Sequence, residues 1–170
     1  VWYEFFSRFA RGVDGSVILL DTPWDASPDC GAAALAAGSR KALVNGEITE
    51  LEHPMVYMDG QLMLPVSILS RVFGAEVRLA DDANRASIFF EDREANIIRD
   101  YPVLWVGHRM FPFPVPKVLK DGTLYVPAET VVKRLLRKEH SMESGVLYIS
   151  GRETEISKTV AAKIAELLRD

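Results

Sequence analysis

Cysteine is nearly absent from this chain. Cys30 stands alone among 170 residues, so no intrachain disulfide can form. Histidine is almost as scarce. The three, His53, His108 and His140, lie far apart in sequence, which argues against His-rich metal sites and His-activated nucleophiles. No apolar run approaches the about 18 residues that a spanning helix needs, so no membrane span is expected. There is no basic excess either: 20 Lys and Arg face 24 Asp and Glu, for a net charge of −4. That balance argues against nucleic acid as a partner. Neither G-x-x-x-x-G-K-[ST] nor H-E-x-x-H occurs. The opening Val1-Trp2-Tyr3-Glu4-Phe5-Phe6 lacks the basic start and apolar core of a secretion signal, and Val1 in place of Met reads as a mature product or a piece of something longer.

What is present is the balance of a globular protein, with 48% hydrophobic and 26% charged residues. It also contains an internal similarity. A shift of 62 residues places Val44 on Val106, Pro54 on Pro116, Val56 on Val118, Asp59-Gly60 on Asp121-Gly122, Leu62 on Leu124 and Pro65 on Pro127. Apolar character is kept between these identities: Leu64 with Val126, Leu69 with Val131, Phe73 with Leu135. The chain therefore divides into an N-terminal flank with one strand (1–41), a first repeat (42–91), a second repeat (92–150) and a C-terminal amphipathic helix (151–170).

Each repeat reads as the same run of elements. Asp59-Gly60 and Asp121-Gly122 sit between short apolar runs, the signature of a tight hairpin with positive φ in its loop. Pro65 and Pro127 then suit the first position of a helix. Val66, Leu69, Val72 and Phe73 recur at helical spacing, and Gly74 can close that helix. Val131, Leu135 and Leu136 follow suit after Pro127, without a closing glycine. Apolar strands at 86–90 and 146–149 complete each copy. The expected fold class is α+β: two tandem repeats, each a small antiparallel sheet of hairpins packed on one helix. About 50 residues bury little surface alone, so the copies are expected to share or abut cores.

Val44-Asn45-Gly46, Pro54, Asp59-Gly60-Gln61-Leu62-Met63-Leu64-Pro65, the helix ending Phe73-Gly74-Ala75, and Asp82 with Ile88 together resemble the copper amine oxidase N-terminal-like (stalk) domain. The second repeat, from Val106-Gly107 to Ile149, is similar but more divergent. Many members of that family carry Arg two residues after the Pro; here Ser67 and Glu129 stand there. The resemblance implies a non-catalytic module of secreted or cell-wall bacterial proteins, serving spacing, wall attachment or protein interaction. It implies no copper, because the oxidase chemistry belongs to a different domain. The implied partners are a cell-wall polymer or another envelope protein, and nothing here sets an oligomeric state.

Ile156, Val160, Ile164, Leu167 and Leu168 lie on one face of the C-terminal helix. The run from Glu153 through Val160-Ala161-x-Lys163-Ile164-Ala165-Glu166-Leu167-Leu168 is similar to the first helix of zinc-dependent N-acetylmuramoyl-L-alanine amidases. That resemblance implies Glu153 as a zinc ligand and the strand Val17–Asp21 as its neighbour, with the repeats inserted between them. No His stands between Asp21 and Gly31, where that family places one. The alternative reading is therefore a fragment of a peptidoglycan amidase, with zinc as cofactor in that case alone.

Lys133, Arg134, Arg137 and Lys138 form a short basic patch suited to anionic wall polymers or, more simply, a solvated helix face. Trp105, Phe111 and Phe113 suit sugar stacking or core packing. Phe111-Pro-Phe-Pro-Val-Pro reads as an extended connection. Asp21, Asp25 and Asp29 match no EF-hand spacing, and Cys30 lacks a His partner in sequence. No catalytic residue is expected.

Overall fold

The structure is a computed structural model. It describes residues 9–11, 17–19, 33–44, 47–80, 82–119, 121–151 and 158–169. Its described elements are antiparallel β-sheets and short helices, an α+β composition. The chain forms two compact units, one from Val1–Pro54 with Lys138–Asp170, the other from Met55–Arg137.

The first unit holds β1 (Phe9–Arg11), β2 (Val17–Leu19), β3 (Ala33–Ala36), β4 (Lys41–Val44), β5 (Glu47–Glu50), β15 (Glu139–Glu143) and β16 (Val146–Ser150). They form one sheet in the order β15-β16-β3-β4-β5-β1-β2, antiparallel except for the parallel β1–β5 contact. All five residues of β16 are buried, as the run Val-Leu-Tyr-Ile-Ser suits a central strand covered on both faces. A helix from Lys158 to Leu167, the third α-helix among the described residues (α3), lies on one face. Its Ala161, Ile164 and Leu168 join Ala34, Leu43, Val146 and Tyr148 in a cluster that excludes solvent. Of the expected face, Ile164 and Leu168 lie in this cluster and Leu167 packs against it, while Ile156 lies outside the described residues. The Ser39 hydroxyl donates to the Leu168 carbonyl and ties down one of the orphan acceptors at the helix end.

The second unit holds β6 (Val56–Met58), β7 (Gln61–Pro65), α1 (Val66–Phe73), β8 (Glu76–Ala80), β9 (Arg85–Phe90), β10 (Arg93–Ile98), β11 (Val103–Val106), β12 (Arg109–Pro112), β13 (Lys117–Val118), β14 (Leu124–Pro127), α2 (Ala128–Thr130) and a π-helical segment, Val131–Leu136. Its strands form a five-stranded sheet, β12-β11-β10-β9-β8, and a four-stranded one, β13-β14-β7-β6. β9 alternates cleanly: Ala86, Ile88 and Phe90 are buried while Arg85, Ser87 and Phe89 face outward.

The sheets are not built as the sequence suggests. Each 50-residue segment was expected to make its own sheet. Instead β8–β9 of the first segment join β10–β12 of the second, and β15–β16 of the second join β3 of the N-terminal flank, which leads on to β4–β5. The middle hairpins meet through β7 and β14, with Leu64 opposite Val126, Pro65 opposite Tyr125 and Met63 opposite Pro127. The physical reason is area: short strands and one helix from about 50 residues bury little apolar surface alone, and wider sheets built from both segments cover more of it. The compact units accordingly cut across the segment boundaries at 91 and 92.

Local chemistry sets the details. Asp59 and Gly60 have φ of 52° and 77° and join Met58 to Gln61 as a two-residue loop. Asp121-Gly122 does not form such a loop. The last β13–β14 pair is Val118–Leu124, so five residues make the connection, and the Asp121 carboxylate accepts from the Thr123 N–H at 2.9 Å. Pro65 and Pro127 sit one position earlier than expected, ending their strands as N-caps with extended ψ of 138° and 124°.

Candidate functional site

The two helical segments of the second unit end differently, and the difference places the basic residues. α1 closes on Gly74 at φ 72°, whose N–H donates to Ser70 while that of Ala75 donates to Leu69. The π-helical segment closes on Arg137 at φ 53°, whose N–H reaches Val132, five residues back. Pro65 and Pro127 are 62 apart, but Gly74 and Arg137 are 63 apart, so the second segment holds one more residue. A π turn is the form a single inserted residue takes inside a helix.

Arg93 on β10 supports this turn. Its side chain donates to the carbonyls of Leu135 at 2.7 Å and Leu136 at 3.3 Å, and its guanidinium lies 5.4 Å from the Phe90 ring. Its own charge is balanced by Glu91 at 3.4 Å and Asp92 at 3.8 Å. Sequence reasoning missed Arg93, because its partners are backbone carbonyls 42 and 43 residues away.

Of the basic patch, Lys133, Arg134 and Arg137 are exposed and Lys138 is half-buried. Arg134 lies over the Phe111 ring at 4.6 Å. Arg137 is occupied as the left-handed cap. The three His are dispersed: His53 beside Glu52 at 3.8 Å, His108 in the β11–β12 turn, His140 on β15. On the turn between β6 and β7, the Asp59 carboxylate takes a hydrogen bond from the Lys117 ammonium, which holds its pKa below the ordinary carboxylate value. Glu153, Trp24, Asp21, Asp25, Asp29 and Cys30 lie outside the described residues.

The aromatic trio divides. Phe113 is buried, and Phe111 pairs with Leu104 on the inner face of the five-stranded sheet. Trp105 points the other way, as the neighbour of Leu104 in a strand must. It lies opposite Met110 on one side and Asn96 on the other, and Asn96 lies opposite Ser87. Tyr101 stacks on Trp105, with centroids 5.6 Å apart and planes 15° from parallel. This outer face is open: Met110 is 68% exposed and Tyr101 50%. Further along it, Ser87 donates to the Asn96 side-chain oxygen at 2.9 Å, and Arg78 pairs with Glu76 and covers the Phe89 ring at 4.9 Å. Large apolar side chains grouped on an exposed face, with polar neighbours, mark interaction surfaces.

These features define a class first: an antiparallel β module whose open surface is a sheet face. Residues 32–89 match the family model of the copper amine oxidase N-terminal domain. The match begins ahead of residue 42 and so takes in β3. No curated protein and no solved structure matches the chain. The amidase resemblance gains no support: α3 packs on β16, β3 and β4, whereas β2 is the strand at the far edge of that sheet. No helix among the described residues is long and apolar enough to cross a membrane.

Proposed function

We propose that the chain is a non-catalytic module of two tandem repeats, placed outside the cell or in the cell envelope, where it serves spacing and attachment to cell-wall polymer. The observation that carries this reading is the family match over residues 32–89. Two features support it. The strands of both segments fall into the same succession of hairpin, helix and hairpin and gather into sheets of four, five and seven strands, which suits a self-supporting spacer. The exposed cations Lys133 and Arg134 on the π-helical segment suit an anionic polymer.

Retention on purified peptidoglycan tests it. The expected result is binding at low salt that weakens as salt rises, and that weakens further in a Lys133→Glu, Arg134→Glu variant. A chain that washes through insoluble wall material at low salt overturns the attachment reading.

A further inference from the structure

Among the described residues the three sheets end on β15 and β2, on β12 and β8, and on β13 and β6. Most of these edges are blunted. β2 and β6 are three residues long and β13 two. β12 closes on Pro112, which has no N–H to offer. Short strands and proline are common protections of an edge. β8 and β15 are full strands of five residues each. Along β8 the charges answer one another, with Arg78 2.8 Å from Glu76. β15 reads Glu139-His140-Ser141-Met142-Glu143, with no proline, no lysine and a carboxylate at each end. Neither carboxylate forms an ion pair among the described residues.

The turn after β15 fixes which way its backbone faces. Ser144 and Gly145, at φ of 54° and 77°, form a two-residue loop between the paired Glu143 and Val146. The pair flanking such a loop exchanges both hydrogen bonds, and bonded pairs then alternate along the hairpin. Glu143, Ser141 and Glu139 therefore bond to Val146, Tyr148 and Ser150 on β16. The N–H and C=O groups of His140 and Met142 point the other way, out of the sheet's edge, and no described strand lies beyond them. Side chains alternate as well. Glu139, Ser141 and Glu143 stand on the side of α3, because Val146 and Tyr148 belong to the cluster under that helix. His140 and Met142 stand on the other side, where Met142 is 38% exposed.

We propose that this edge takes an extended basic segment of a partner protein as a further, antiparallel strand. Backbone donors and acceptors in a row are answered in full only by another strand, which sets the conformation of what covers them. The side chains set its composition. Opposite Glu139 and Glu143 the segment carries Lys or Arg, and opposite His140 and Met142 it carries apolar residues. A second copy does not fit. Pairing two β15 strands through their outward residues sets His140 against Met142, and so Glu139 against Glu143 at both ends, where like charges repel. The inference goes beyond wall attachment and stands apart from it: loss of peptidoglycan retention leaves it intact, and the reverse holds too.

The test is amide NMR on the full chain, with the probe acetyl-Gly-Lys-Val-Thr-Val-Lys-Gly-amide. In the free chain the His140 and Met142 amides exchange quickly with solvent, while those of Ser141 and Glu143 are slow. Adding the peptide at low salt shifts residues 139–143 saturably and slows exchange at His140 and Met142. Methylating the backbone nitrogen of both valines abolishes binding, because those N–H groups face β15; methylating that of Thr, whose N–H faces away, leaves it. Glu139→Gln with Glu143→Gln weakens binding about fivefold, the worth of two cross-strand charge pairs. Met142→Pro removes an outward N–H without touching a bond to β16, and abolishes binding; far-UV circular dichroism checks that both variants fold. Slow exchange at His140 and Met142 in the free chain overturns the proposal, as does a spectrum unmoved at about 1 mM peptide or equal binding of the valine-methylated peptide. So do protection produced by raising protein concentration alone, which assigns the edge to a second copy, and equal binding of a peptide with Glu in place of both Lys, which removes the charge match.

Discussion

Residues 65–74 and 127–137 start alike and end differently. Both begin with a proline that closes a paired strand, and both run to a residue in the left-handed region. The first arrives in eight α-helical residues and uses glycine, which reaches positive φ without a Cβ clash. The second carries one more residue, takes a π turn, and places Arg137 at a conformation that costs an L side chain about 1 kcal/mol. Aligning the left-handed ends sets Arg134 over Arg71. The pair shows how a fold absorbs an insertion: corresponding strands flank both segments, and the helix between them widens. The carbonyls disturbed by the widening are taken up by Arg93.

Four measurements break or sharpen this comparison. The largest effect is expected from Leu135→Ala, which removes a fully buried side chain from the π segment. It should cost about 3 kcal/mol in urea unfolding, and Leu69→Ala in α1 a similar amount, if both helices are equally part of the core. Next, Arg93→Met keeps the stem but strands the Leu135 and Leu136 carbonyls. A loss of about 2 kcal/mol is expected, with faster amide exchange over 131–137 and no change over 66–74. Smaller still are the caps. Gly74→Ala should destabilise by about 1 kcal/mol and Arg137→Gly should stabilise by up to the same amount, read as opposite shifts in Tm. The smallest concerns Lys117→Met. The Asp59 pKa is lowered in the folded chain, so the stability this contact supplies is present above the ordinary carboxylate pKa of 3.8 and is lost as pH falls through the folded value. Without Lys117 the Asp59 titration followed by NMR should rise towards that ordinary value.

What could be read from the sequence was local. The Asp59-Gly60 loop depends on two adjacent residues, the prolines on their own φ, and the outward turn of Trp105 on its being next to Leu104. The last signal was there to be used: alternation along β11 separates Trp105 from Phe111 across the Gly107-His108 turn. Three things were not legible. The pairing of β16 with β3 joins residues more than a hundred positions apart, and short apolar strands carry no mark of their partner. Arg137 in the left-handed region defies its propensity, because the inserted residue leaves no other way to end the turn. Arg93 caps backbone, and backbone acceptors have no sequence signature.

The crossing of strands between the segments has a consequence in time. β3 is ready early in synthesis, yet one of its edges stays unpaired until residues 146–149 are made. The five-stranded sheet, by contrast, has all its strands by residue 112. During translation the chain therefore passes through a stage in which the middle of the polypeptide can be finished while its first sheet still offers a raw edge to any neighbouring strand. A chain stopped near residue 137 would retain every strand of the second unit and lack β15, β16 and α3 of the first. Such a product should collect in aggregates, and adding residues 138–170 back within the same chain should keep it in solution.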